Sequence, residues 1–125
     1  MWIDEAEAKA IHERLLATHG GASGLRDPGL LASALARPRQ IEAYRDAPDA
    51  VELAAAYTAG VVRNHPFADG NKRTGFVLGI LFLELNGARF TASEAEATQA
   101  VLDLASGALD HAGYAAFLRG NIEVG

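Results

Sequence analysis

The sequence contains no cysteine. This absence excludes a disulfide framework, and it excludes zinc or iron–sulfur sites held by thiolates. It fits a reducing compartment, and the cytoplasm is the expected location. The first 15 residues, "MWIDEAEAKAIHERL", lack the basic and then apolar order of a signal peptide, so we expect folded structure from the outset.

Long hydrophobic runs are also absent. The longest apolar stretch, residues 76–85, is interrupted by Gly79 and Glu84 and falls short of the roughly 20 apolar residues that cross a bilayer. It predicts a buried helix and no membrane partner. The net charge is −5, with a pI near 5.3. Such a surface repels nucleic acid, so no direct nucleic-acid binding is expected.

Half of the 125 residues are hydrophobic, which is enough to build the core of a single domain spanning residues 1–125. Capping residues, glycines and prolines mark the predicted helices. These cover residues 5–18, a short helix from Pro28 that ends at Pro38, the segment from Asp49 to His65, residues 71 or 72 to 86, Ser93 to about Ala105, and Asp110 to about Gly120.

The expected fold class is therefore all-α, with about six helices around a buried central helix. The fourth helix, apolar around most of its circumference, is the predicted central one. Residues 38–48 are expected to be irregular, and "ARFT" at residues 88–91 is expected to be briefly extended.

The stretch "HPFADGNKRTG", residues 65–75, places two cations where the fourth helix begins. Lys72 and Arg73 oppose the helix macrodipole there, which is unfavourable unless the helix end receives an anion. Gly70 would let the backbone come close, and the amides of residues 70–73 would point at the ligand. The pattern predicts a phosphate site.

Three neighbouring side chains fit phosphate transfer. The His65 imidazole can accept a proton from a hydroxyl, the Asp69 carboxylate can bind Mg²⁺, and the Asn71 amide can contact a phosphate oxygen. Phe67 is expected to anchor the loop in the core, and Pro66 is expected to keep His65 extended.

Taken singly, each of these residues has an ordinary structural interpretation. A histidine before proline is usually a loop residue, an aspartate before a helix is usually an N-cap, cations at a surface are usually solvated, and a phenylalanine is usually core. Only the combination favours a site. The stretch is not a Walker A loop, because the upstream glycine and the Gly-Lys-Ser/Thr order are absent.

The motif resembles the signature of the Fic/Doc superfamily, and Lys72 makes it similar to the Doc (death-on-curing) branch. "RDPGLLASALARP", "ELAAAYTAGVVRNHPFADGNKRTG", "LFLELNG" and "LASGALD" follow in the order typical of that branch. The resemblance implies an ATP-dependent toxin of a toxin–antitoxin pair that phosphorylates a threonine of elongation factor Tu and so stops translation.

By matching position, the resemblance makes His65 the general base, Asp69 the Mg²⁺ ligand, and residues 70–73 (Gly70, Asn71, Lys72 and Arg73) the phosphate-binding helix start; Phe67 would be the anchor. ATP and Mg²⁺ are the implied cofactors. An antitoxin of the Phd kind, whose C-terminal segment folds as a helix in a groove of the toxin, is the implied partner. The inhibitory Ser/Thr-x-x-x-Glu-Gly/Asn pattern of many Fic enzymes is absent, so self-inhibition is not expected.

Two departures from the wider Fic pattern bear on the reaction. AMP-transferring Fic enzymes have Gly at Lys72 and a second Arg at Phe76. The extra cation and the missing arginine favour transfer of the γ-phosphate over transfer of AMP. Two alternatives stay open: an AMP transferase, and an inactive helical module that binds a nucleotide or a partner protein.

Several other residues have less defined roles. Arg26, Tyr44 and Arg63 are candidates for a contact near the site or with the substrate, and each also has an ordinary structural explanation. The remaining histidines, His12, His19 and His111, lie far from the motif in sequence and are expected at the surface or at helix ends.

Overall fold

The computed structural model describes residues 2–124. In chain order its elements are α1 (Glu5–His19), α2 (Pro28–Tyr44), α3 (Ala50–Asn64), α4 (Asn71–Leu85), β1 (Ala88–Phe90), α5 (Glu94–Ser106), α6 (His111–Arg119) and β2 (Ile122–Val124). The predicted all-α class with six helices is confirmed. Within residues 2–124, no helix is long and apolar enough to cross a membrane.

Local capping explains where most helices begin. Asp4 with Glu7, and Ser93 with Glu96, form reciprocal capping boxes at α1 and α5. Asp27, Asp49 and Asp110 accept a backbone N–H from the first turn of α2, α3 and α6. These helix starts agree with the sequence prediction because each depends on residues three apart.

The prediction that α2 is short and ends at Pro38 is wrong. The helix continues through Pro38 to Tyr44, so only residues 45–48 of the predicted irregular segment lie between helices. An interior proline costs a helix about 3 kcal/mol. Burial of Leu35 before Pro38 and of Ile41 after it offsets this cost, at about 1.5–3 kcal/mol for each fully buried aliphatic side chain.

The buried central helix is α3, and the prediction of α4 in that position is wrong. Ten of the 15 residues of α3 are buried, and it packs against α2, α4, α5 and α6. By contrast, Phe76, Val77, Ile80 and Leu81 of α4 are only partly buried. Hydrophobicity all round a helix indicated burial, but its neighbours leave one side of α4 uncovered.

Two glycines allow α3 and α4 to approach closely. A Cβ at Gly75 would lie 3.1 Å from the Thr58 carbonyl oxygen, and one at Gly79 would lie 2.9 Å from the Ala54 carbonyl oxygen and closer still to Thr58 Oγ1. Thr58 Oγ1 donates a hydrogen bond to the Gly75 carbonyl at 2.8 Å. This close crossing fixes the start of α4 relative to the end of α3.

We expect Gly79→Ala to lower the free energy of unfolding by about 1–3 kcal/mol, because the added methyl collides with the backbone of α3. Gly120→Ala is the matched control. Gly120 has right-handed helical geometry, and its added Cβ would meet nothing closer than 3.6 Å. Urea unfolding of both variants measures the difference; equal stabilities would contradict the close crossing.

A small antiparallel sheet joins β1 to β2, with Arg89 opposite Glu123 and their side chains paired at 2.8 Å. The predicted extended stretch at residues 88–91 is confirmed for residues 88–90. Strand β2 was not predicted, because three residues carry too little pattern and its partner is more than 30 residues away in the sequence.

Candidate active site

The motif forms the corner between α3 and α4, and a neighbouring backbone segment supports it. Leu25 forms an isolated antiparallel bridge with Phe67. On either side of it, the Arg26 N–H donates to the Pro66 carbonyl at 2.7 Å and the Ala68 N–H donates to the Gly24 carbonyl at 3.0 Å. The loop is therefore hydrogen-bonded to the segment that precedes α2.

His65 adopts a left-handed conformation, with φ 50° and ψ 55°. The prediction that Pro66 keeps it extended is wrong. His65 is the C-cap of α3, and its N–H closes the helix on the Val61 carbonyl. Such a conformation costs a non-glycine residue of order 1–3 kcal/mol, so surrounding contacts must hold it. The His65 side chain is exposed.

Arg26 supplies one of those contacts. Its Nε donates to the His65 carbonyl at 2.8 Å and its guanidinium donates to the Asn64 carbonyl at 3.0 Å. A cation hydrogen-bonded to the last carbonyls of α3 also complements the negative end of the helix dipole. Arg26 thus supports the backbone at the end of α3 and does not line the cavity described below. Tyr44, 88% exposed, and Arg63 do not line the cavity described below.

Phe67 and Asn71 fasten the loop from within. Phe67 is 2% exposed. The Asn71 carbonyl oxygen Oδ1 accepts the Phe67 N–H, and its Nδ2 donates to the Phe67 carbonyl, both at 2.9 Å. The amide nitrogen Nδ2 has a second hydrogen, and it also lies 3.5 Å from Nδ1 of His65. The Asn71 side chain therefore holds the loop, and its predicted contact with phosphate stays a prediction.

The Asp69 carboxylate is oriented by two backbone amides. Its Oδ2 accepts the Ala22 N–H at 3.2 Å and its Oδ1 accepts the Gly70 N–H at 2.8 Å. The hydrogen bond from Ala22 contributes most and the one from Gly70 next, and together they lower the pKa of Asp69 below its usual value. The side chain is therefore ionised at neutral pH. Asp69 is not the N-cap of α4, because Gly70 occupies that position.

These residues surround a cavity of about 300 Å³. Its lining comprises His65, Ala68, Asp69, Gly70, Asn71, Lys72 and Arg73. Every predicted site residue except the anchor Phe67 therefore lies on one cavity.

The start of α4 suits an anion. Gly70 has φ 76° and provides no side-chain cap, so the first amides of the helix have no partner from a capping side chain. Lys72 and Arg73 are exposed, and within residues 2–124 neither forms a salt bridge. Free amides, a helix dipole and two cations together have the chemistry that suits a phosphate group.

A metal ion at this cavity would need a bound phosphate group to complete its coordination. No cluster of three or more His, Asp or Glu side chains that could hold a metal occurs in the described part of the chain. Asp69 alone is still compatible with Mg²⁺, which commonly takes one or two protein carboxylates and completes its shell with phosphate oxygens and water.

His12 is the residue next to the cavity whose position the sequence did not predict. It was expected at the surface, but it is 2% exposed, and its ring stacks on Phe67 with centroids 3.8 Å apart. Its Nε2 lies 2.7 Å from the Asp69 carbonyl oxygen. One local signal existed: His12 follows Ala8, the other buried residue of α1, by one helical turn.

A second, larger groove adjoins the cavity through Lys72 and Arg73 and encloses about 710 Å³ between α1, α4 and α5. Most of its lining is apolar, with Phe76 packed edge-on against Phe90. Phe76 thus lines this groove instead of filling the core. The lining side chains are Leu15, His19, Lys72, Arg73, Phe76, Val77, Phe90, Ala92, Ser93, Glu94, Ala97, Thr98, Val101 and Leu102.

The profile of the Fic/DOC family matches residues 2–83, from the start of the described chain to the last turns of α4. The chain belongs to the Fic/DOC family. It is 35% identical over 85 residues to "Protein kinase doc" of Escherichia phage P1, and this alignment covers 68% of each chain. It is 40% identical over 77 residues to "Toxin Doc" of Mycolicibacterium smegmatis, covering 58% of this chain and 57% of that one.

All residues that line the cavity lie within the region that matches the family. This region contains α1, the segment that bridges to the loop, α3, the motif and most of α4. The region after residue 83, with the sheet and the last two helices, lies outside the family match.

Proposed function

We propose that this protein is a Doc-like toxin that transfers the γ-phosphate of ATP to a hydroxyl group of a protein. The observation that carries the proposal is the single cavity that brings together His65, the ionised Asp69 and the uncapped start of α4. The name "Protein kinase doc" of one relative agrees with it.

The residues present fit ATP and Mg²⁺. The cavity has unpartnered helix amides and two cations for phosphate oxygens, and one carboxylate for the metal. Asp69 would hold Mg²⁺, and the backbone amides of residues 71–73 with Lys72 and Arg73 would hold phosphate groups. The Gly70 amide is bonded to Asp69 Oδ1, so Gly70 would contribute close approach of the backbone and not its N–H. When bound, ATP supplies the phosphoryl group, and the metal neutralises part of its charge.

The chemistry of the chain's own residues is simple. The acceptor oxygen forms its bond to the γ-phosphorus while the bond to the β–γ bridging oxygen breaks, and the neutral imidazole of His65 takes the hydroxyl proton. The αL conformation directs this side chain from the end of α3 into the cavity. Lys72 and Arg73 would stabilise the negative charge that shifts to the β-phosphate of the leaving ADP.

Lys72 and Phe76 favour the γ-phosphate over AMP. Lys72 adds a positive charge in the first turn of α4, at the position where AMP-transferring Fic enzymes have glycine. Phe76 lies one turn further along α4 and lines the apolar groove. No arginine is present at that position to clamp the remaining phosphates of ATP for AMP transfer.

The toxin role and its partners are part of the same proposal. One relative is named "Toxin Doc". The groove between α1, α4 and α5 has the apolar lining that an amphipathic helix needs, and we propose it for the C-terminal segment of a Phd-like antitoxin. Elongation factor Tu is the proposed acceptor and rests on the Doc resemblance alone.

The test is the fate of each phosphorus of ATP. The purified protein is incubated with Mg²⁺, elongation factor Tu or a bacterial extract, and ATP labelled at either the α or the γ phosphorus. We expect γ label on one protein and none from the α position. Transfer of the α label would instead indicate an AMP transferase. Transfer of neither label would favour an inactive helical module that binds a nucleotide or a partner protein.

A further inference from the structure

His12 contacts the motif from beneath, although it belongs to a different element. It lies in the middle of α1, and both its hydrogen bond and its ring stacking are made to residues 67–69 of the loop. A Cβ added at Gly70 would also lie 3.7 Å from its Nε2. A single buried side chain thus contacts Phe67 and Asp69 and lies beside Gly70.

The hydrogen bond fixes the proton on the ring. A backbone carbonyl can only accept, so Nε2 of His12 carries the hydrogen and donates to the Asp69 oxygen at 2.7 Å. The stacking on Phe67, at an interplanar angle of 10°, holds the ring in the plane in which it can donate. Distance and direction are therefore both constrained.

This bond sets the orientation of the peptide between Asp69 and Gly70. In a trans peptide the carbonyl and the following N–H point in opposite directions. Because the carbonyl is turned towards His12, the Gly70 N–H points away from His12, where it donates to Asp69 Oδ1 at 2.8 Å. A rotated peptide would lose this bond and turn a partly negative oxygen towards the phosphate site.

We propose that His12 is a positioning residue of the site: it orients the Asp69–Gly70 peptide and, through it, the Asp69 carboxylate and the start of α4. The inference rests on the proposed function, since it assigns a role in preparing that site. His12 is buried under the loop and would not touch the substrate.

Two substitutions separate the hydrogen bond from the packing. His12→Phe retains a ring that can stack on Phe67 but removes the donor. His12→Gln retains a donor near the position of Nε2 but removes the ring. A purely structural role predicts that activity follows the melting temperature. A positioning role predicts that activity follows the donor, so that His12→Gln is more active than His12→Phe even where it is less stable.

We expect His12→Phe to lower kcat for γ-phosphate transfer about 10- to 100-fold, with a smaller change in KM for ATP. This is the usual effect of removing a side chain that orients a metal-binding residue. His12→Gln should restore most of kcat. His111→Phe is the control, because His111 Nε2 also lies near a backbone carbonyl, that of Glu52 at 3.3 Å, outside the site. It should leave kcat unchanged.

Hydrogen exchange provides a readout that does not require activity. In His12→Phe we expect faster exchange at the Ala68 and Gly70 amides, with the interiors of α3 and α4 unchanged. If the wild-type protein transfers no phosphate, the proposed function fails, and the exchange data still decide the role of His12. Exchange equal to wild type in His12→Phe would overturn the inference, as would equal kcat in an active protein.

Discussion

Replacing His65 by alanine should reduce γ-phosphate transfer by about 10²- to 10⁴-fold, the range typical of a general base. The fold should survive, because the side chain is exposed and the backbone bonds of His65 to Val61 and Arg26 do not involve the imidazole. Initial rates with γ-labelled ATP measure the loss, and thermal unfolding measures the stability.

Arg63→Ala is the matched control for this experiment. Arg63 is exposed, lies two residues before His65 in the last turn of α3, and does not line the cavity. Its removal should leave both the rate and the melting temperature close to those of the wild type. Unchanged transfer in His65→Ala would remove the general base from the proposed mechanism.

The second large effect is expected for Asp69→Asn. The amide nearly matches the carboxylate in shape but is a poor ligand for Mg²⁺. A bound metal is worth several kcal/mol of transition-state stabilisation, so transfer should fall roughly 10²- to 10³-fold, at about 1.4 kcal/mol for each factor of ten. The remaining transfer should depend little on Mg²⁺.

A Mg²⁺ titration of the initial rate tests this, with Asp46→Asn as the control carboxylate, exposed and outside the cavity. Wild-type activity and an unchanged Mg²⁺ half-saturation in Asp69→Asn would mean that the metal is held elsewhere.

The same variant has a pH signature. Because the pKa of Asp69 is lowered by folding, ionised Asp69 stabilises the native state above its ordinary pKa of 3.8, and this contribution is lost as pH falls through the lowered value. The difference in melting temperature between wild type and Asp69→Asn should therefore be present near pH 7 and shrink below pH 3.8. A difference independent of pH would argue against the two amide hydrogen bonds.

Short-range patterns were enough to predict the helix starts and the membership of the site. A capping aspartate or serine acts on an amide three residues away, so Asp4, Asp27, Asp49, Ser93 and Asp110 mark helix starts without information from the rest of the fold. Six of the predicted site residues are contiguous or nearly so along the chain. A short loop before a helix keeps them close together, and in the structure they line one cavity.

Other features followed from contacts between distant parts of the chain. Pro38 remains inside α2 because the face on which it lies is buried. The choice of α3 over α4 as the central helix depended on which side of each helix found a neighbour. Sequence periodicity reports that a helix has apolar faces, but it does not report which of them is covered.

By itself, then, the sequence determined the helical class, most helix boundaries and the set of residues at the start of α4, because all of these depend on neighbours within a few positions. Only the tertiary structure decided how that set is held. Arg26 holds the end of α3 at His65, Ala22 orients Asp69, and His12 supports the loop. In each of these pairs the two residues are 38 or more positions apart in the sequence. Such pairs are created by folding, since no local pattern links their members.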